Sequence, residues 1–373
     1  LEQTLSESNF TFDYKTYLRE IYSLAPRKFT FRAKTIEEFE EWQLTFRLKL
    51  KEALGLTDME EDLKGRVPKA ERVDVMEMED YIREKWYIWV EPVVPLPFWF
   101  LKPKNLSGRL PLVITPHGHN HPDLYVGIAY NESDKKAILE GERDIAVQAV
   151  KEGYIAIAPT ARGFGETIDK VEVVHEKEAV SSCHSQLKHD LLVGRTPIGE
   201  RVWDVSRIID WALTRNDVDP NCIAITGNSG GGTTSIYAAA CDERISIAVP
   251  SCSFCTYVGS IGTIYHCDCN YIPGILRLGE MYDVAGLVAP RPFCVIAGKE
   301  DSIFPIEHVM EAFNKLKQIY EVVGLSDRCE LFIGEEGHRY YKKGAWPFIK
   351  KWFNLISQGV DVRNFKQRDH LFR

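Results

Sequence analysis

Hydrophobic side chains recur every three or four positions in the first part of the chain, which places them on one face of a helix. The residues with this spacing are Phe39, Trp42, Phe46, Leu50 and Leu54. Thr35 and Glu38 precede them with the spacing of a capping box, and Pro68 ends the section. The pattern predicts a charged, helical N-terminal extension over residues 1–68, with no residue in it that indicates chemistry.

From about residue 72 the pattern changes to short apolar runs that alternate with helical periodicity. The predicted strands lie at 87–90, 98–101, 112–115, 154–158, 223–226, 245–249, 293–297 and 330–333. Such alternation is typical of an α/β fold with a mostly parallel central sheet and helices on both faces. We therefore predict one catalytic domain over residues 69–358, followed by a tail over 359–373. In such a sheet the ligand site lies at the carboxyl ends of the strands.

Composition excludes some classes of partner. The 46 basic and 54 acidic residues give a net charge of −8, which argues against a nucleic acid. The longest apolar stretch, residues 93–101, is much shorter than the roughly 20 residues that span a membrane. A small neutral substrate fits best, and the oligomeric state stays open. Eight of the nine cysteines lie between residues 222 and 329, several of them inside apolar runs, so we expect mostly free thiols. Free thiols favour a reducing, cytoplasmic compartment, and a secreted or periplasmic location is left open.

A glycine-rich turn follows the predicted strand 223–226. Gly227-Asn228-Ser229-Gly230-Gly231 fits the G-x-S-x-G pattern of a nucleophile elbow, with a helical segment after it. A strand that reverses into a helix so tightly strains the serine backbone and leaves no room for side chains at the flanking glycines. The pattern predicts Ser229 as the nucleophile and the N–H of Gly230 as an oxyanion donor.

The strand 112–115 ends in a second turn, which carries three alternating histidines. This position, upstream of the elbow, is where the second oxyanion donor is expected, and we assign it to the backbone N–H of His119. A metal site made by His117, His119 and His121 is the competing interpretation. Cys252-x-x-Cys255 together with Cys267 and Cys269 also has a spacing that resembles zinc ligation. Neither is adopted, and the prediction is that the chain uses no metal.

Two further strand ends supply an acid and a base. A serine hydroxyl needs a base to remove its proton, and the base needs an acid to orient it. Asp301 follows the strand 293–297, with Glu300 as the competing acid, and His338 follows the strand 330–333. The order of serine, acid and histidine is that of α/β-hydrolases. The predicted triad is Ser229, Asp301 and His338.

Over residues 70 to 355 the chain resembles the α/β-hydrolase superfamily, in particular its acetyl xylan esterase and dienelactone hydrolase-like branch. Besides the triad, the matching segments are Arg162-Gly163-Phe164-Gly165, Gly194-Arg195-Thr196, Gly199-Glu200-Arg201-Val202-Trp203-Asp204, and Cys269-Asn270-Tyr271 through Ala289-Pro290-Arg291-Pro292. The resemblance implies an esterase, often of acetylated carbohydrate, that needs no cofactor. Dienelactone hydrolases carry cysteine at the elbow, so Ser229 disfavours a dienelactone substrate.

Residues 251–289 form a predicted insertion over the site. The segment is rich in aromatic residues, and we predict that Tyr265 and Tyr271 bind substrate by stacking on a sugar or another flat face. The sequence thus predicts a serine carboxylesterase that hydrolyses small acyl esters, acetyl esters of carbohydrates among them, through an acyl-enzyme. The alternatives are a peptidase or a glucuronoyl esterase with the same triad and, from another class, a metal-dependent hydrolase.

Overall fold

The computed structural model describes residues 12–105, 108–170 and 181–364. The N-terminal extension contains three helices, α1 (Tyr14–Ser23), α2 (Ile36–Leu54) and α3 (Leu56–Asp62). Helix α2 begins as its sequence predicts, because the Oγ1 of Thr35 accepts a hydrogen bond from the N–H of Glu38 at 3.2 Å. No helix among these residues is both long enough and apolar enough to cross a bilayer.

Within the described residues, nine strands form one sheet with the order β1-β2-β3-β5-β4-β6-β7-β8-β9. Their bounds are Ala70–Glu77 (β1), Tyr81–Glu91 (β2), Val94–Pro103 (β3), Leu110–Ile114 (β4), Ile155–Pro159 (β5), Val218–Asn228 (β6), Ile247–Ser251 (β7), Phe293–Gly298 (β8) and Cys329–Gly334 (β9). The first three strands pair antiparallel with their neighbours, and β5, β4, β6, β7, β8 and β9 run parallel to one another. The predicted mostly parallel sheet is confirmed.

Helices cover both faces of the sheet, as predicted. Among the described residues after the extension, the helices are Glu132–Leu139 (α4), Ile145–Lys151 (α5), Cys183–Leu192 (α6), Pro197–Ala212 (α7), Gly230–Cys241 (α8), Ile275–Leu278 (α9), Met281–Gly286 (α10), Ile306–Val322 (α11) and Lys342–Ser357 (α12). Buried side chains of α7, α8 and α11 share one hydrophobic core, and those of α5 and α12 share a second. The sheet separates the two cores.

The N-terminal extension packs into the first of these cores. Phe39, Phe46, Leu50 and Leu54 are fully buried in the same cluster as the strands and α8. At about 2 kcal/mol for each large apolar side chain, this burial is a substantial share of the stability of the fold. The amide of Gln43 adds hydrogen bonds to two backbone carbonyls just after α10. The extension therefore shares its core with the α/β domain.

Two local features concern the helices. Pro305 occupies the N-cap position of α11, so the helix begins one residue after the proline, at Ile306. The segment 251–289, predicted as an insertion over the site, contains the short helices α9 and α10. Both are too short for a repeating apolar face to emerge from the sequence.

Candidate active site

Ser229 lies at a sharp turn between β6 and α8. Its backbone is strained, with φ 58° and ψ −123°, a conformation that non-glycine residues rarely adopt. The glycines on either side are required by the close approach of the loop after β4. A Cβ at Gly227 would lie 2.3 Å from the carbonyl oxygen of Pro116, and one at Gly231 would lie 1.9 Å from it. The turn has the geometry of a nucleophile elbow.

Asp301 and His338 meet although 37 positions separate them in the sequence. The Nδ1 of His338 lies 2.8 Å from the Oδ2 of Asp301. The other oxygen, Oδ1, accepts the N–H groups of Ile303 at 2.9 Å and Phe304 at 3.1 Å. Burial alone would raise the pKa of Asp301, but the imidazole and these N–H groups outweigh it and hold the pKa below its ordinary value. The competing acid, Glu300, is exposed.

Ser229 and His338 line the same cleft, whose volume is about 950 Å³. Within the described residues, no hydrogen bond joins the Oγ of Ser229 to the imidazole in this arrangement. Such contacts are often long in enzymes without substrate and tighten when substrate binds. Phe304 stacks on His338 with ring centroids 6.0 Å apart, and it also contacts the ring of His266. Phe304 was not singled out from the sequence, because only the fold brings it to the cleft.

The loop after β4 packs directly against the elbow. A Cβ at Gly118 would lie 3.2 Å from the Cβ of Ser229, and one at Gly230 would lie 3.3 Å from the His119 ring. Among the described residues, neither the N–H of His119 nor that of Gly230 donates a hydrogen bond within the protein. Gly230 is the first residue of α8, where helical N–H groups have no partner in the helix.

The three alternating histidines of this loop have different partners, so they do not form the metal site considered from the sequence. The Nδ1 of His117 donates to the carbonyl of Gly118 at 2.7 Å, and its Nε2 accepts the N–H of Ala161 at 2.9 Å. Burial lowers the pKa of His117 to about 3, which keeps the ring neutral. His121 accepts the N–H of Asp123, and His119 turns towards Cys269, 3.3 Å from its Sγ.

The two cysteine pairs considered as zinc ligands are also apart. Cys252 contacts the carbonyl of Arg339 near Asp301, and Cys255 lies close to the carbonyl of Pro305. The second pair, Cys267 and Cys269, instead lies beside His119 and Cys183. Spacing along the chain did not reveal this grouping, since Cys183 is on α6 and His119 follows β4.

The two tyrosines predicted to bind substrate occupy different places. Tyr265 is 92% exposed and lines the cleft with Ser229. Tyr271 lines a neighbouring apolar pocket together with Tyr22 of α1, and its hydroxyl donates to the carbonyl of Ile261 at 3.2 Å. The structure therefore brings Tyr265 to the candidate site but leaves Tyr271 outside the cleft.

Several matching segments noted in the sequence meet in a buried ion-pair network behind the loop after β4. The guanidinium of Arg162 contacts Glu91 at 2.7 Å, Glu200 at 3.0 Å and Asp204 at 2.7 Å. Arg195 adds a second contact to Glu91 at 3.0 Å. Since the charges are buried and mutually paired, the network anchors β2, α7 and the turn after β5 to one another.

The sheet order, the strained elbow and the paired aspartate and histidine define an α/β-hydrolase fold with its site at the carboxyl ends of the parallel strands. The chain belongs to the Abhydrolase family, whose model matches residues 11–257. The match includes the elbow and the loop after β4 but ends before Asp301 and His338.

Three known proteins are similar to this chain in sequence or in fold. The chain is 27% identical over 303 residues to YtaP of Bacillus subtilis (strain 168), which is named a hydrolase, covering 78% of this chain and 95% of YtaP. A protein from Bacteroides fragilis NCTC 9343, named an acetyl xylan esterase, has a similar structure with a TM-score of 0.71, 19% identity and coverage of 92% and 86% of the two chains. The structure of the methylesterase BT1017 has a TM-score of 0.67 and 18% identity to this chain. The match covers 91% of this chain and 69% of the methylesterase. At these identities the two structures show the fold alone.

Proposed function

We propose that the protein is a serine carboxylesterase that hydrolyses small acyl esters through an acyl-enzyme. The observation that carries the proposal is the hydrogen bond between Asp301 and His338 at the cleft that Ser229 also lines. A strained serine, a histidine and a buried acid are the groups that acyl transfer requires, and they follow in the order serine, acid, histidine. The names of the similar proteins, an acetyl xylan esterase and a methylesterase, support an ester as the bond that is cleaved.

Each group has one role in the proposed reaction. His338 takes the proton of the Ser229 hydroxyl as the oxygen attacks the ester carbonyl, and it then gives that proton to the departing alcohol. Asp301 holds the imidazole through Nδ1 and stabilises its positive charge. Water, deprotonated by the same imidazole, then attacks the acyl carbon, and Ser229 regains its proton.

The N–H groups of His119 and Gly230 are the proposed oxyanion donors. Both lie beside Ser229, and within the described part of the chain both lack a partner in the protein. The negatively charged oxygen of the tetrahedral intermediate would accept hydrogen bonds from both N–H groups. These bonds stabilise the intermediate more than they stabilise the substrate. This difference is the source of rate acceleration in the proposal.

The cleft beside Ser229 carries one arginine, Arg143, and one carboxylate, Asp268, so it has no excess of either charge, which favours a small neutral ester. Tyr265 offers an exposed aromatic ring in the cleft, and aromatic faces suit the apolar faces of sugars. Acetyl esters of carbohydrates are therefore the substrates we propose to examine first.

The test combines a covalent probe with an ester panel. Wild-type protein should be labelled by a fluorophosphonate and should hydrolyse p-nitrophenyl acetate, whereas Ser229→Ala should lose both. Ser357→Ala, a change at an exposed serine of α12, should retain both. Labelling of Ser229→Ala at the wild-type level would contradict the proposed nucleophile. Acetylated sugars, a glucuronoyl ester and peptide substrates, run side by side, then separate the esterase from the alternatives that use the same triad.

A further inference from the structure

Three cysteines and a histidine from three separate segments gather beside the cleft. Cys183 is the first residue of α6, Cys267 and Cys269 belong to the turn at 267–270, and His119 follows β4. One ligand atom from each of the four lies within 4.8 Å of all the others. The three thiols are free, and two of them are buried with the aromatic ring of Phe164 in a small apolar cluster.

The dimensions of this group suit a tetrahedral metal ion. Zinc bonds to sulfur at about 2.3 Å and to imidazole nitrogen at about 2.0 Å, which places neighbouring ligand atoms roughly 3.5–3.8 Å apart. The Nε2 of His119 already lies 3.3 Å from the Sγ of Cys269. Three sulfurs and one imidazole are a common ligand set of structural zinc sites, and soft sulfur ligands favour zinc over magnesium or calcium.

A buried arginine provides an independent argument about charge. Arg201 is 4% exposed, its Nη2 lies 3.3 Å from the Sγ of Cys183, and its Nε has no hydrogen-bond partner. Among the described residues it forms no ion pair with a carboxylate, whereas nearby Arg162 has three. A buried cation with no carboxylate in direct contact is costly. Zinc with three thiolates and a neutral imidazole carries one net negative charge, which would balance this guanidinium.

We propose that His119, Cys183, Cys267 and Cys269 bind one zinc ion. The protein fills all four positions, so the ion is structural and takes no part in ester hydrolysis. It joins α6 and the segment 251–289 to the loop after β4, at the edge of the cleft. The contact between His184, which follows Cys183, and Asp268, which separates the other two cysteines, already links two of these segments at 3.2 Å. The four ligands are dispersed along the chain, so their spacing in the sequence does not indicate a common site.

The first test measures metal content. Full-length protein purified under reducing conditions should contain about one zinc ion per chain, as measured by inductively coupled plasma mass spectrometry. Cys183→Ala and Cys269→Ala should lose nearly all of it. Cys222→Ala and Cys294→Ala, which change buried free cysteines outside the cluster, should keep it. Equal zinc in the cluster variants and the controls would place the ion elsewhere and overturn the assignment.

The second test uses only wild-type protein, so its result does not depend on whether the cysteine variants fold. Wild-type protein stripped of metal and reloaded with Co²⁺ in the presence of a reductant should show a thiolate-to-cobalt charge-transfer absorption and the d–d bands of a tetrahedral site. Failure to bind either Zn²⁺ or Co²⁺ after full reduction would overturn the proposal, as would a Cys267–Cys269 or Cys183–Cys269 disulfide that reforms in place of metal binding. Both readouts are independent of esterase activity, so failure of the proposed hydrolysis leaves this result unaffected.

Discussion

The imidazole of His338 is held by Asp301, with Nδ1 and Oδ2 2.8 Å apart, while the other carboxylate oxygen accepts two backbone N–H groups. The two backbone N–H groups hold the carboxylate of Asp301 in place, and the carboxylate in turn holds the orientation of the imidazole. A carboxylate at this position also determines which imidazole nitrogen carries the proton, and so leaves Nε2 free to act as the base.

Replacing Asp301 with asparagine should therefore reduce kcat by about 10³–10⁴, because an amide can hold the ring in the wrong tautomer and cannot stabilise its positive charge. Steady-state hydrolysis of p-nitrophenyl acetate measures the change. The matched control is Glu300→Gln, which removes the adjacent exposed carboxylate and should leave kcat within about twofold of wild type. A larger loss for Glu300→Gln than for Asp301→Asn would reverse the assignment of the acid.

The elbow predicts an equally specific effect at Gly231. An alanine Cβ there would lie 1.9 Å from the carbonyl oxygen of Pro116, a backbone atom that cannot move aside without shifting the loop after β4. Gly231→Ala should lower the free energy of unfolding by about 3 kcal/mol or more and should also reduce fluorophosphonate labelling of Ser229. Urea unfolding and the labelling rate give the two measurements.

Gly65→Ala is the control for Gly231→Ala, because it introduces backbone strain without steric crowding. Gly65 has φ +72° but no atom within 4 Å of its built Cβ. Its substitution should cost only about 1 kcal/mol and leave labelling unchanged. Similar losses for the two variants would mean that the elbow relaxes around an added methyl group.

The parts of the site that the sequence predicted are those with a local signature. Ser229 is marked by its glycines, and Asp301 and His338 each follow a recognisable buried strand. Because the carboxyl ends of parallel strands meet at one edge of the sheet, the order of these motifs along the chain was enough to place them at the same edge.

Features that depend on how distant loops pack were not accessible from the sequence. Cys183 and His119 join Cys267 and Cys269 only because α6 and the loop after β4 meet the segment 251–289. Periodicity and spacing describe one segment at a time, so they suggested only the grouping of Cys252 and Cys255 with Cys267 and Cys269. For the same reason Tyr265 and Tyr271, six residues apart in sequence, were predicted to bind substrate together, whereas the structure places them in different pockets.

That separation of the tyrosines makes a prediction of its own. Tyr265→Ala should raise KM for an acetylated sugar about 3- to 10-fold, corresponding to the loss of one aromatic contact, with little change in kcat. Because the side chain is 92% exposed, the free energy of unfolding should change by less than about 0.5 kcal/mol. Tyr271→Ala should behave in the opposite way, lowering stability through its lost packing and leaving KM near wild type. An increase of KM in Tyr271→Ala alone would show that substrate reaches the neighbouring pocket.

Asp283 predicts a dependence of stability on pH. This buried carboxyl group joins α10 to the N-terminal extension, since its Oδ1 accepts the N–H of Phe31 and its Oδ2 that of Glu280, both at 2.9 Å. Burial raises the pKa of Asp283 to about 6 and the Glu280 carboxylate adds to the rise, although the two N–H groups and Arg27 oppose it. Between the ordinary value of 3.8 and about 6, the folded protein keeps a proton that the unfolded chain has released. The contribution of Asp283 to stability therefore declines as the pH rises through this range.

Asp283→Asn cannot titrate, so it should remove this decline, which amounts to at most about 1.4 kcal/mol per pH unit. Urea unfolding of wild type and variant at several pH values between about 4.5 and 6.5 measures the difference in slope. The slope is the diagnostic quantity, because asparagine retains only one of the two acceptor oxygens and its absolute stability changes for that reason as well. Asp327→Asn, at an exposed position, should retain the wild-type slope. Identical slopes for wild type and Asp283→Asn would mean that the folded protein does not hold the extra proton at this carboxyl group.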